Sequence, residues 1–131
     1  MGRKGNLGFY RYGRDGKKAG VDETAYDLLP TGRTRAEIPA EEMQQRLVLA
    51  LVNEAVRCLE EGILRSPRDG DVGAVFGIGF PPFRGGPFRY MDTLGVAEVV
   101  RQLEALDVAH APRYAPTELL RRMAAGGERF Y

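Results

Sequence analysis

Few side chains in this 131-residue chain have types and spacings that suit catalysis. The one histidine, His110, and the one cysteine, Cys58, lie more than 50 positions apart with no partners nearby, whereas a metal site needs converging N, S and O ligands. No metal ligand is expected. His110 falls in Asp107-Val-Ala-His-Ala-Pro112, which reads as a loop with a solvated imidazole, and Cys58 reads as a buried thiol acting as a small hydrophobe. The one serine, Ser66, precedes Pro67 in a helix-capping pattern, so a serine nucleophile has no support. Gly77-Ile-Gly79 has the spacing that opens a dinucleotide fingerprint, but that motif must start a helix and Pro81-Pro82 follow instead. No cofactor-binding residue is expected there. Asn53 and Glu54 sit mid-helix inside an apolar face and must find polar partners, for which the backbone of the nearby loop is the reading adopted. Arg46 is paired by the same reasoning with Asp69 or Asp71. Taken together, the side chains name no catalytic residue.

What stands out instead is Gly77-Ile-Gly-Phe-Pro-Pro-Phe-Arg-Gly-Gly-Pro-Phe-Arg-Tyr-Met-Asp92, which packs four glycines, three prolines and three phenylalanines between two helical patterns. Proline fixes φ and glycine permits positive φ and close approach, so the combination specifies one rigid path. The residues assigned a structural or interface role are Gly79, Phe80, Pro81, Pro82, Phe83, Gly85, Gly86, Pro87, Phe88 and Asp92, with Asn53 and Glu54 from the preceding helix.

Five helices are expected to hold that path. The first opens at Pro39 in the first helical position, carries Glu41 and Glu42 where the helix dipole favours acids, and runs to Glu60 or Glu61. Met43, Leu47, Ala50, Leu51, Ala55, Cys58 and Leu59 recur at helical spacing and are read as its core face, and Gly62 suits the left-handed position that ends it. Ser66-Pro-Arg-Asp69 opens a short helix to Val75 or Phe76, and Gly86-Pro87 another through Leu94, broken by Gly95. Val96, Val99, Val100, Leu103 and Leu106 mark a fourth, and Pro116 to Met123 a fifth. Residues 1–38, rich in Gly, Lys and Arg, read as a strap over the core: an extended piece and turn from Gly8 to Lys17, a short helix from Val21 to Leu29, and a linker over 30–37. The fold class is all-α, about five helices around one core over 39–131, with an irregular N-terminal strap.

Nineteen basic and eighteen acidic side chains leave a net charge of +1, so no global field attracts nucleic acid. The longest apolar run, Leu47 to Val52, is far short of the roughly 18 residues a membrane span needs. The start, Met1-Gly-Arg-Lys-Gly-Asn6, has charge without an apolar stretch behind it, so a cytoplasmic location is expected. Asn6 also stands where myristoylation would want Ser or Thr.

The stretches Arg46-Leu-Val-Leu-Ala-Leu-Val-Asn-Glu-Ala55, Glu60-Glu-Gly62, Ser66-Pro67 with Asp69 and Asp71, and Gly77 through Asp92 closely resemble the C-terminal domain of 3-hydroxyacyl-CoA dehydrogenases. The double proline, the paired glycines and Arg89-Tyr-Met-Asp-Thr-Leu-Gly95 are similar to the second copy of that domain in the multifunctional subunit of bacterial fatty acid oxidation complexes. The lead-in Lys4-Gly-Asn-Leu-Gly-Phe-Tyr10 and the ending Gly127-Glu-Arg-Phe-Tyr131 fit as well. The resemblance implies a helical fold like the C-terminal domain of 6-phosphogluconate dehydrogenase. It also implies a fragment of a longer β-oxidation enzyme that uses NAD and joins an enoyl-CoA hydratase region and a Rossmann domain to a sister helical domain. A thiolase subunit is implied as a further partner. The family's catalytic His and Glu belong to the Rossmann domain and have no counterpart here. The catalytic helical copy carries an Asn at the position of Gln45, before Arg46, and the extra methylene of Gln45 agrees with a non-catalytic duplicate. The chain alone is therefore expected to pack, without binding NAD or turning over substrate, and to self-associate. The rival expectation is a direct contribution to an acyl-CoA pocket of the parent.

Overall fold

Helix boundaries in this chain follow its capping residues closely. In the computed structural model, which describes residues 3–5, 8–110 and 112–131, five α-helices run Ala40–Glu60 (α1), Pro67–Gly73 (α2), Pro87–Leu94 (α3), Val96–His110 (α4) and Glu118–Gly126 (α5). The chain divides into two units, 1–38 and 39–131, and the helices all belong to the second. Asn6 and Leu7 of the lead-in lie outside the described residues.

The first unit is a two-stranded antiparallel hairpin, Tyr10–Tyr12 (β1) and Lys18–Val21 (β2), with Tyr10 opposite Val21 and a bulge between Arg11 and Tyr12. Asp22 then accepts from the backbone N–H and hydroxyl of Thr24 and caps a run of 3₁₀ turns over Glu23–Leu28, where a short helix is expected from sequence. Those two bonds, ahead of the Arg11 charge, hold the Asp22 carboxyl below its ordinary range.

In the second unit Pro39 is the cap of α1 with extended ψ, and the helix proper starts one residue later. Gly62 takes the left-handed conformation, φ +73°, and the Gly62 and Ile63 N–H groups donate back to the Leu59 and Cys58 carbonyls, which closes α1. Ser66 caps α2 by accepting from the Asp69 N–H at 3.2 Å, while the Asp69 carboxylate turns to Arg65 at 2.8 Å. Instead of ending near Val75 or Phe76, the chain continues into a π-helical turn over Ala74–Ile78 that Gly79 closes at φ +75°. A π turn holds one residue more than an α turn, so it shifts which side chains point inward. Phe80 consequently enters the core, and Phe76 stays 86% exposed.

The core face of α1 differs in part from the one expected: Ala50, Leu51, Ala55 and Leu59 pack partly buried against the core, but Met43, Leu47 and Cys58 do not. Leu49, Val52, Asn53 and Val56 are the buried positions, whereas Leu47 is 72% exposed and Met43 is also out. Leu47 and Leu49 are two residues apart, about 200° around a helix of 3.6 residues per turn, so the helix carries two apolar faces. The unit's own core, which α3, α4 and α5 complete through Phe88, Met91, Val99, Leu103 and Leu120, takes only one of them. Cys58 is correspondingly half-buried and lines the other face instead of the core.

Candidate functional site

The junction of α2 with α3 brings together Gly86, Pro87 and Phe88 of the sequence-selected residues. Helix α3 starts at Pro87, and its cap residue Gly86 has no side chain with which to satisfy the first N–H groups. Asp71, on α2 and 4% exposed, supplies the acceptor: its carboxylate takes the Phe88 N–H at 2.7 Å and the Arg89 N–H at 3.4 Å. Glycine is required at position 86 on two counts, φ +109° and a Cβ that would stand 2.4 Å from Asp71 Cβ and Oδ1. Beside it, Gly70 makes room for the Phe88 ring, since a Cβ there would meet Phe88 Cε2 at 2.4 Å. The loop between the helices, with Pro81 and Pro82, a 3₁₀ turn over Pro82–Arg84 and left-handed Gly85, delivers the chain to this point.

Phe80 and Phe88 face their own core rather than outward, Phe88 with no exposure, while Phe83 is 84% exposed. Phe80 packs edge-on against Tyr90 at 6.2 Å. Asn53 bonds to a loop backbone, but the loop is the one before α5. Its Nδ2 donates to the Ala115 carbonyl at 2.9 Å and its Oδ1 accepts the Thr117 N–H at 3.2 Å, bracketing Pro116, which has no N–H of its own. Glu54 does not join it; it is exposed and pairs with Arg57. Arg46 pairs with Glu42 rather than with Asp69 or Asp71, both of which are taken as described. His110 is the last residue of α4, not a loop residue, with its ring 6.3 Å from that of Tyr114 and Nε2 3.9 Å from Glu42.

Asp92 forms the second acidic post. Its two oxygens accept the Phe130 and Tyr131 N–H groups at 2.9 and 3.0 Å, and the Tyr131 hydroxyl donates to Asp71 at 2.8 Å. Sequence reasoning selected Asp92 and missed Asp71 in this role. The signal was available, because a helix that opens on Gly-Pro must borrow its capping acceptor from elsewhere in the chain. Burial first, then the Asp71 hydrogen bond and charge, push the Tyr131 phenol up to about 12 against the opposing effect of Arg89. Its folded value lies above the ordinary 10, so the contribution is complete below pH 10 and is lost as pH rises from 10 towards 12. Absorbance at 295 nm should show one of the six tyrosines titrating late. Tyr131→Phe should remove that step and no other.

Gln45, exposed on the first turns of α1, lies in a chain of side-chain hydrogen bonds. Its Nε2 donates to Gln102 Oε1 at 3.0 Å, and Gln102 Nε2 donates to Glu98 at 2.7 Å. Arg101 and then Gln102 hold Glu98 down to about 2, so it is an ionised acceptor that orients both amides. A cleft of about 360 Å³ opens beside Gln45, lined also by Gln44, Arg84, Tyr90, Phe80 and Glu41. The second surface feature is a groove of about 340 Å³ along the outer face of α1, lined by Leu51, Ala55, Cys58, Ile63, Ala74 and Ile78 among others, with Glu54 at its side. Gly77 and Gly79 belong to the π turn and its close and are followed by extended proline. They end a helix where a pyrophosphate site would need to open one, so the residues present do not fit a dinucleotide.

A long apolar first helix, a capped α2 and π turn, a rigid Gly-Pro loop and three further helices define a mostly α-helical domain. Residues 43–129 match the family model of the 3-hydroxyacyl-CoA dehydrogenase C-terminal domain, and the chain belongs to that family. It is 58% identical over 135 residues to the fatty acid oxidation complex subunit alpha of Shewanella amazonensis (strain ATCC BAA-1098 / SB2B), an alignment that covers 99% of this chain. The chain spans 18% of the length of that relative. Among the described residues no helix is long and apolar enough to cross a membrane.

Proposed function

We propose that this chain is a non-catalytic packing domain of a fatty acid β-oxidation enzyme, the second helical copy in a multifunctional subunit whose parent oxidises 3-hydroxyacyl-CoA with NAD in the cytoplasm. The observation that carries this reading is the outer face of α1. Ile63 and Ile78 are each about 70% exposed around a groove with almost no polar lining, and Leu47, 72% exposed, lies one helical turn before Leu51 of that lining, on a unit whose own core is already complete. Such a face is costly in water and normally has a partner. The reading assigns it to the sister helical domain, with the Rossmann domain and a thiolase subunit contacting the parent elsewhere. Phe83 and the π-turn residue Phe76 are further exposed apolar side chains of the unit, and Phe80 and Phe88 support the fold from inside.

The isolated chain should therefore self-associate, most simply as a symmetric dimer that covers one groove with the other. Light scattering at increasing concentration checks this, and a strict monomer at high concentration would overturn it. Leu47→Asp with Ile63→Asp should yield a monomer of unchanged helical circular dichroism and nearly unchanged melting temperature, because both side chains are exposed within one chain.

The cleft beside Gln45 favours the second reading, a direct part in an acyl-CoA pocket, since Arg84 offers a cation and Tyr90 an aromatic wall there. Calorimetric titration with NADH and with acetoacetyl-CoA separates the two. The packing role predicts no heat with either ligand, and micromolar binding of the CoA compound would shift the assignment to the pocket.

A further inference from the structure

We propose that the surface of α3 between Asp71 and Asp92 is a peptide-binding site, filled in cis by residues 128–131 and open to an extended segment of the same basic-aromatic-tyrosine pattern from another molecule. Residues 128–131 form neither helix nor strand. They are held by contacts of the kind that intermolecular peptide recognition uses. Asp92 takes two successive backbone N–H groups, one on each oxygen. The Arg129 guanidinium donates to the Asp92 carbonyl at 3.2 Å. The Phe130 ring packs edge-on against the buried Phe88 at 4.9 Å. The Tyr131 hydroxyl reaches Asp71, and the Arg89 guanidinium lies 3.7 Å from the centre of the Tyr131 ring.

With the segment seated both carboxylates are buried, Asp71 at 4% and Asp92 at 9% exposure. Asp71 needs its own place in any case, because it caps α3. Asp92 has no such duty: the side-chain bonds it makes are to the segment. The attachment to α5 is local. Gly127, at φ +65°, ends that helix, and the Glu128 N–H donates to the Met123 carbonyl at 2.9 Å. Everything beyond Glu128 is therefore seated by side-chain recognition, and a free peptide of the same pattern could satisfy the same acceptors.

The test uses the full chain carrying Arg129→Ala, Phe130→Ala and Tyr131→Ala, titrated with a fluorescein-labelled Gly-Glu-Arg-Phe-Tyr peptide by anisotropy. Saturable binding to this variant, with binding to the unaltered chain at least tenfold weaker because its own segment competes, is the expected result. A peptide with Phe in place of Tyr should bind at least roughly tenfold more weakly, the worth of one hydrogen bond to a carboxylate. Asp92→Asn in the same background should reduce binding by a similar or larger factor. No binding to a variant of native circular dichroism overturns the proposal, and so does equal binding to the variant and the unaltered chain. If the triple change unfolds the chain, Phe130→Ala with Tyr131→Ala takes its place, and peptide binding to that folded variant no tighter than to the unaltered chain counts against the site. In the unaltered chain, the Phe130 and Tyr131 amides should exchange at least tenfold more slowly than in the Asp92→Asn chain, and equal exchange rates would also count against the site.

Discussion

Phe88→Ala is expected to cost about 4 kcal/mol, the range found when a fully buried aromatic ring is truncated, and to lower the melting temperature of the helical unit by more than about 15 °C. The ring has no exposure, and it touches three elements at once: the Gly70 gap on α2, the core through α3, and Phe130. Its removal leaves a cavity with a stiff wall, since Gly70 has no side chain to collapse into it. A second substitution tests that geometry. Gly70→Ala alone forces a Cβ against Phe88 Cε2 at 2.4 Å and Leu64 Cδ1 at 2.9 Å and should cost roughly 1–3 kcal/mol through overpacking. In the Phe88→Ala background the larger of those clashes is gone, so the same change should cost little or restore some stability. Urea denaturation of the four chains gives the coupling, and simple additivity would contradict the packing described.

The second large effect is expected at Asp71. Replacing it with Ala orphans the Phe88 N–H, which is buried, weakens the start of α3 at Arg89, and removes the acceptor of the Tyr131 hydroxyl. Leaving a buried donor unsatisfied costs 1–3 kcal/mol, and bonds to an ionised acceptor are the stronger kind, so a total of roughly 3 kcal/mol follows. Asp71→Asn retains one acceptor oxygen and should lose about half as much. Because Tyr131 contributes through Asp71, Tyr131→Phe should have almost no effect once Asp71 is Ala, and thermal denaturation of the double variant checks it. A loss in Asp71→Ala no larger than that of an exposed carboxylate would show that α3 does not rely on α2 for its cap.

The local stops and starts were readable from the residues that make them. Gly62, Ser66 and Gly95 each end or begin a helix through their own backbone freedom or hydroxyl, and that chemistry needs only neighbours in sequence. The exceptions are instructive. Helix α2 runs on into a π turn, because whether residues 74–78 stay helical depends on packing that brings Phe80 inside rather than on propensity. His110 closes α4 rather than lying in a loop, because Leu103 and Leu106 bury that helix almost to its end.

The sequence by itself determined the helical class, the number of helices in the second unit and the family, since capping residues, apolar periodicity and the Gly-Pro-Phe segment are all local patterns. Only the tertiary structure decided which of the two apolar faces of α1 is core, because both satisfy helical periodicity and the choice depends on what α3, α4 and α5 bring to them. It likewise decided the partners of the buried polar groups. Asn53 bonds to residues more than 60 positions away, Asp71 to the start of α3 and to Tyr131, and Asp92 to Phe130 and Tyr131. A hydrogen-bonding group shows its need in sequence through its type and burial pattern, but its partner is whatever the folded chain places within about 3 Å.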